Sequence, residues 1–178
     1  MLLTNDTLKT IHSRRSCRAY TAQQVEQDKL DTVIDAGLWA ASGMGRQSPV
    51  IVAVQDKATV AKLSAINAKI MGNSGDPFYG APTVLVVLAR KEVHTAVEDG
   101  SLALGNLMLA AESIGLASCW IHRARETFET QEGKQLLKGW GLDPEAYIGV
   151  GNCILGYAAE GGQKPAADRK DGRVVYVK

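Results

Sequence analysis

The sequence predicts a single domain, residues 1–178, that mixes helices and strands without the regular alternation of a doubly wound sheet. Three observations carry this. Apolar residues switch along the chain between 3.6-residue stripes and short continuous runs. The resulting order is α-α-β-α-β-α-β-α-β-β, which pairs helices at one end and strands at the other. The 178 residues, 46% hydrophobic and 22% charged, suffice for one buried core and are ordinary for a globular chain.

Thr4 to Ser13 reads as a short helix, capped by Asn5 or Asp6, with Leu8 and Ile11 on one face. After Thr21-Ala-Gln-Gln, the stripe Leu30, Val33, Ile34, Leu38, Ala41 predicts a second helix, stopped by Ser42-Gly-Met-Gly-Arg-Gln-Ser-Pro. Val50 to Val54 is a buried-type strand, and Lys57 to Met71 a third helix. A Gly/Asn/Pro loop, Gly72 to Pro82, precedes Thr83 to Ala89, whose unbroken apolar run predicts a central strand. A long helix spans Thr95 to Ile114, followed by Gly115 and a short strand, Ala117 to Ile121. One more helix (Glu126 to Trp140), a glycine-bearing strand (Tyr147 to Tyr157), a polar tail and a last strand (Val174 to Val177) complete the chain.

The long helix is apolar except for a narrow polar stripe through Asp99, Asn106 and Ser113, with Glu98 and Glu112 beside it. That pattern predicts burial nearly all round. Such a helix is either the centre of a monomer or, the preferred reading, part of a dimer interface. Gly100, Ala103, Ala110 and Ala111 would then admit a second backbone.

Charge and composition exclude several classes. Twenty basic against nineteen acidic side chains leave +1, too weak a field for general binding to nucleic acid or membrane surfaces. Cys17, Cys119 and Cys153 are odd in number and lack C-x-x-C spacing, which argues against a disulfide framework or a zinc site and for a reducing compartment. His12, His94 and His122 are too scattered for a histidine metal site. No stretch resembles a signal peptide or a bilayer span, so the expectation is a soluble cytoplasmic protein.

Three segments could carry chemistry. Arg14-Arg15-Ser16-Cys17-Arg18 places three guanidiniums within five residues, which is either a solvated turn or an anion site. Arg169, Lys170 and Arg173 form a second basic cluster that could meet it if the tail folds back. Gly43-Met-Gly-Arg-Gln-Ser follows a helix and precedes a strand, the reverse of a dinucleotide fingerprint. It reads instead as a flexible loop whose backbone donors and Gln47 can approach a planar ligand. In Gly115-Leu-Ala-Ser-Cys-Trp-Ile-His, Trp120 and His122 stand out. Cys119 has no activating partner nearby in sequence, so a catalytic thiol is disfavoured. From the residues alone the chain offers a helix-and-strand domain for a phosphate-bearing ligand.

Five segments in order are similar to the FMN-dependent nitroreductase family: Arg14-Arg-Ser-x-Arg-x-Tyr20, Ala40-Ala-Ser-Gly-Met-Gly-Arg-Gln, Phe78-Tyr-Gly-Ala-Pro-Thr, Gly115-Leu-Ala-Ser-Cys-Trp-Ile, and Gly149-Val-Gly-Asn-Cys-Ile-Leu-Gly-Tyr. The resemblance implies an α+β homodimer, with a mixed, mainly antiparallel central sheet flanked by helices and FMN at the dimer interface. Arg14, Arg15 and Ser16 would hold the phosphate, with Arg169 or Lys170 adding charge. Arg18 would lie by the pyrimidine ring and favour the reduced flavin. Ala41, Ser42, Gly43, Met44 and Gln47 would pack on the flavin from the partner subunit. Cys119, Trp120, Ile121 and His122 would line the ring, and either Asn67 or Asn73 would supply an amide contact. The implied activity is ping-pong electron transfer from NAD(P)H to nitroaromatic, quinone or related acceptors, with no side chain acting as acid or base. Alternatives are a specialised relative (a reductive dehalogenase, or an oxygen-dependent enzyme that fragments FMN) and a flavin-binding carrier or sensor without turnover.

Overall fold

The structure is a computed structural model that describes residues 2–178. Four strands, β1 (Pro49–Val54), β2 (Thr83–Arg90), β3 (Ala117–Ile121) and β4 (Tyr147–Gly156), form a sheet in the order β1-β2-β4-β3. All three strand pairs are antiparallel. The mixed character comes from outside the named strands, where Ser16 forms a parallel bridge with Ser118 at the start of β3.

The helices are α1 (Asp6–Ser13), α2 (Gln27–Leu38), α3 (Lys57–Met71), α4 (Ala96–Ser113), α5 (Ala124–Glu129) and α6 (Gln131–Gly139), with a short 3-10 turn at Gly43–Gly45. Asn5 caps α1, its Oδ1 accepting from the Leu8 amide. Alternation along β2 and β4 sends side chains to two cores. On one face Leu85, Val87 and Leu155 pack with Val33 of α2 and Leu104 and Leu107 of α4. On the other, Val84, Val86 and Ile154 pack with Leu63 of α3, Phe128 of α5 and Leu137 of α6. Thr83 to Ala89 are buried throughout, as an apolar run in a central strand requires.

The predicted helix Glu126 to Trp140 is two helices. It breaks at Thr130, whose backbone is extended and whose hydroxyl accepts from the Gly133 amide to cap α6. Gly133 lies so close under the Thr127 carbonyl that a Cβ there would overlap it. The predicted strand Val174 to Val177 does not form: among the described residues no strand pairs with it to complete a ladder. The second helix is shorter than its stripe suggests. It ends at Leu38, which is exposed, and Ala41 lies beyond it in the loop, also exposed.

α4 is not buried all round. Asp99, Gly100, Ala103, Leu104, Leu107 and Ala111 face inward, while Val97 and Leu102 face out. The small residues serve the chain's own packing. A Cβ on Gly100 would sit 2.6 Å from Val150 Cγ2, and Val150 is the extra residue of a bulge opposite Val87/Leu88. Among the described residues no helix is long and apolar enough to cross a membrane.

Candidate active site

α1 ends at Ser13 with Arg14 as its cap, and the next residues run along the outer edge of β3. The Cys17 amide donates to the Ser118 carbonyl at 3.0 Å, and Cys17 also bridges to Gln163. This ladder buries Cys17 completely and turns the neighbouring side chains the other way. Arg18 is exposed, while Arg14, Arg15 and Ser16 are half-buried. Arg15 Nη1 folds back on the Arg14 carbonyl at 2.6 Å. Arg14 Nη1 is buried and has no hydrogen-bond partner. A buried guanidinium nitrogen left unpaired is costly, and an anion is what satisfies it.

At the far end of β3, Asn67 of α3 is fully buried. Its Nδ2 donates to the His122 carbonyl at 2.8 Å, and its Oδ1 is unpartnered. Asn73, the alternative amide, is exposed in the loop after α3, where its Oδ1 accepts from Gly75. Ser118 and His122 are four residues apart, about 13 Å along a strand. An unpaired cation near one end and an unpaired acceptor at the other match a ligand with an anionic end and a hydrogen-bonding planar end.

Between them, Cys119 and Ile121 point into the core with Leu63, Val84 and Ile154, so only their backbone is open to a ligand. Trp120 is half-buried on the opposite side, beside Gly151, and His122 is exposed. Cys153, on β4 opposite Trp120, is no nucleophile: burial pushes its thiol up to about 12, Cys119 adds to the rise, and the nearby Arg14 charge pulls against it.

The loop carrying Ala41, Ser42, Gly43, Met44 and Gln47 lies at the N-terminus of α4. It turns sharply, with Met44 at φ 55° and Gln47 at φ 48°. The Gln47 amide donates to Ser42 Oγ at 3.0 Å. Met44, Arg46 and Gln47 are exposed. Asp99, a residue that sequence reasoning counted only as part of a polar stripe, holds this loop. Its Oδ1 accepts from the Gly43 amide at 2.8 Å, and its Oδ2 from Ser48 Oγ at 2.7 Å and Thr95 Oγ1 at 3.2 Å. The available signal was an acid beside Glu98 in the first turn of a largely apolar helix.

The tail begins against the first cluster, with the Arg18 amide donating to the Gly162 carbonyl at 2.7 Å, but the second basic cluster stays apart. Arg169 Nη2 bonds only the Ala167 carbonyl, and Lys170 is exposed. A cleft of about 820 Å³ lies on the outer face of α3, lined by Val60, Ala61, Ser64 and Phe78. Of the residues expected from sequence to contact the flavin, only Asn73 borders it, together with Phe78, Gly80, Ala81 and Pro82 of the third family-like segment. Five buried polar atoms lack a partner among the described residues: Arg14 Nη1 and Asn67 Oδ1 at these segments, and Glu126 Oε2, Thr127 Oγ1 and Asn152 Oδ1.

Residues 11–157 match the model of the nitroreductase family. The chain belongs to that family. Among solved structures, the chain superposes with a TM-score of 0.90 on an FMN-bound nitroreductase from Bacteroides fragilis, at 32% identity over 98% of this chain and 100% of that one. An FMN-bound nitroreductase from Desulfitobacterium hafniense gives a TM-score of 0.87 at 26% identity, over 99% and 100%. An FMN reductase [NAD(P)H] from Bacillus subtilis is 27% identical over 88% of this chain and 67% of its own length.

Proposed function

We propose that this chain is an FMN-dependent oxidoreductase that draws electrons from NAD(P)H and passes them to a nitroaromatic, quinone or related acceptor. The observation that carries the proposal is the unpartnered, buried Arg14 Nη1 beside the Ser16–Ser118 bridge. FMN fits the residues present: its phosphate supplies the anion that Arg14 lacks, and its ring edge can donate to the free Asn67 Oδ1. When bound, the flavin supplies the two-electron chemistry.

The chain's residues bind and orient it. Arg14, Arg15 and Ser16 hold the phosphate. Arg18 places a cation toward the pyrimidine edge. Asn67, rather than Asn73, fixes the ring through its free oxygen. Trp120 and His122 flank the ring with side chains, Cys119 and Ile121 with backbone. No side chain need exchange a proton with the substrate.

The protein works as a homodimer, with Ala41, Ser42, Gly43, Met44 and Gln47 of each subunit packing on the other's flavin. The support is an exposed apolar surface that water does not favour: Leu38, Trp39, Met44 and Leu102 are all more than half exposed, and Val174 to Val177 have nothing to pack on. A second copy that covers the tail would bring Arg169 and Lys170 out of solvent and add charge near the phosphate. As proposed, the chain is a single domain, and three free cysteines suit the cytoplasm.

The test is a purified protein titrated with FMN and assayed for NADH and NADPH oxidation with menadione or a nitroaromatic. Saturable flavin binding, light scattering at the dimer mass and acceptor-dependent turnover are expected. Tight flavin binding without turnover would leave a carrier, and no flavin binding would overturn the proposal.

A further inference from the structure

We infer that Asp99 is a positioning residue for the active site: it templates the Gly43–Ser48 loop and so sets how that loop grips the flavin. The inference rests on the proposed placement of this loop against FMN.

Asp99 is 2% exposed. A carboxylate that deep is tolerated only when its lone pairs are filled. Three donors fill them, and two belong to the loop: the Gly43 amide and the Ser48 hydroxyl, five residues apart. One side chain therefore clamps both ends of the segment that displays Met44, Arg46 and Gln47. The third donor, Thr95, sits one residue before α4 and fixes the carboxylate's own orientation.

The segment between the clamps is strained. Met44 and Gln47 hold left-handed backbone conformations that L side chains rarely adopt. Such geometry persists only where its surroundings impose it: Asp99 fixes the two ends at Gly43 and Ser48, and within them Ser42 Oγ accepts from the Gln47 amide. Gly43 completes the device. A Cβ at that position would collide with the Thr95 side chain, so only glycine lets the amide reach the carboxylate. A helix-end role for Asp99 accounts for an acid in the first turn. It does not account for two bonds to a loop more than fifty residues away in sequence.

The experiment compares Asp99→Asn and Ser48→Ala with the parent, all loaded with FMN. Amide hydrogen exchange over residues 42–48, the FMN dissociation constant, and KM and kcat with NADPH and menadione are measured. Exchange confined to that segment is expected to quicken by about tenfold or more, the scale of losing a bond to a buried charge. FMN affinity should fall and the menadione KM rise, with kcat changing less. Unchanged exchange in both variants would overturn the inference. Faster exchange with unaltered FMN affinity, KM and kcat would show that Asp99 orders the loop but that the loop does not serve the flavin, which overturns the placement beneath it. If Asp99→Asn does not fold, Ser48→Ala, which keeps the carboxylate and removes one clamp, decides alone.

Discussion

The Asn67 side chain and the His122 carbonyl tie α3 to the end of β3: Nδ2 donates across 2.8 Å from a fully buried amide, while Oδ1 faces no partner. Asn67→Ala breaks this tie and strands the His122 carbonyl. The flavin-free protein should lose about 1–3 kcal/mol in urea unfolding. FMN affinity should also fall, because the free oxygen goes with the side chain. A variant that loses stability but binds FMN normally would remove Asn67 from the flavin site.

Arg14→Ala should separate binding from folding. Its Nη1 is buried and unsatisfied, so nothing at that atom stabilises the empty protein. Flavin-free stability should hold or rise, while FMN affinity drops roughly ten- to a hundredfold with the lost charged contact. Denaturation and fluorescence titration of the same samples measure both.

Arg18 is exposed, and its backbone is pinned to Gly162. If it faces the pyrimidine edge, Arg18→Gln should lower the flavin midpoint potential by a few tens of millivolts, where ~30 mV corresponds to ~1.4 kcal/mol. A dye-equilibrated reductive titration with FMN saturating reads this directly. An unchanged potential places Arg18 against the phosphate or solvent.

Gly100→Ala should destabilise by about 1–3 kcal/mol, because its Cβ would press on Val150 and α4 cannot retreat without opening the core. Adding Val150→Ala should recover part of the loss in urea unfolding. No recovery would mean that α4 and the bulge do not meet as described.

Asp99 should make part of the fold's stability depend on pH at the acid end. Burial pushes its carboxyl up, but the Gly43 amide and the Ser48 and Thr95 hydroxyls, with His94 nearby, hold it below the usual range. A lowered folded-state pKa adds stability that is fully present above the unfolded value of about 3.9 and is lost as pH falls through the folded one. Parent and Asp99→Asn should therefore differ by a steady amount from neutrality down to about pH 4 and draw together only as pH falls further. The exposed Glu26, Asp56 and Glu145, also lowered, are common to both proteins and cancel in the comparison. Urea unfolding across that range checks the convergence.

Local chemistry was legible in the sequence wherever it decided the outcome. The apolar run Thr83 to Ala89 could only be a central strand, Lys57 to Met71 formed a helix with those bounds, and Asn5 capped the first helix. The Arg14–Arg18 cluster was visible as an anion candidate because three adjacent guanidiniums need a partner or solvent. What the tertiary structure decided were matters of contact between distant segments. A seven-residue polar spacing in α4 did not distinguish a stripe from a buried anchor, since Asp99 acquires its donors from a loop across the fold. Gly100 could have faced a second chain, and the bulge at Val150 turned it inward. The break at Thr130 depended on Gly133 fitting under the Thr127 carbonyl. Val174 to Val177 has the residues of a strand and no pairing strand among the described residues. A propensity becomes a strand only when another backbone supplies the hydrogen bonds, and a single sequence does not say which backbone that is.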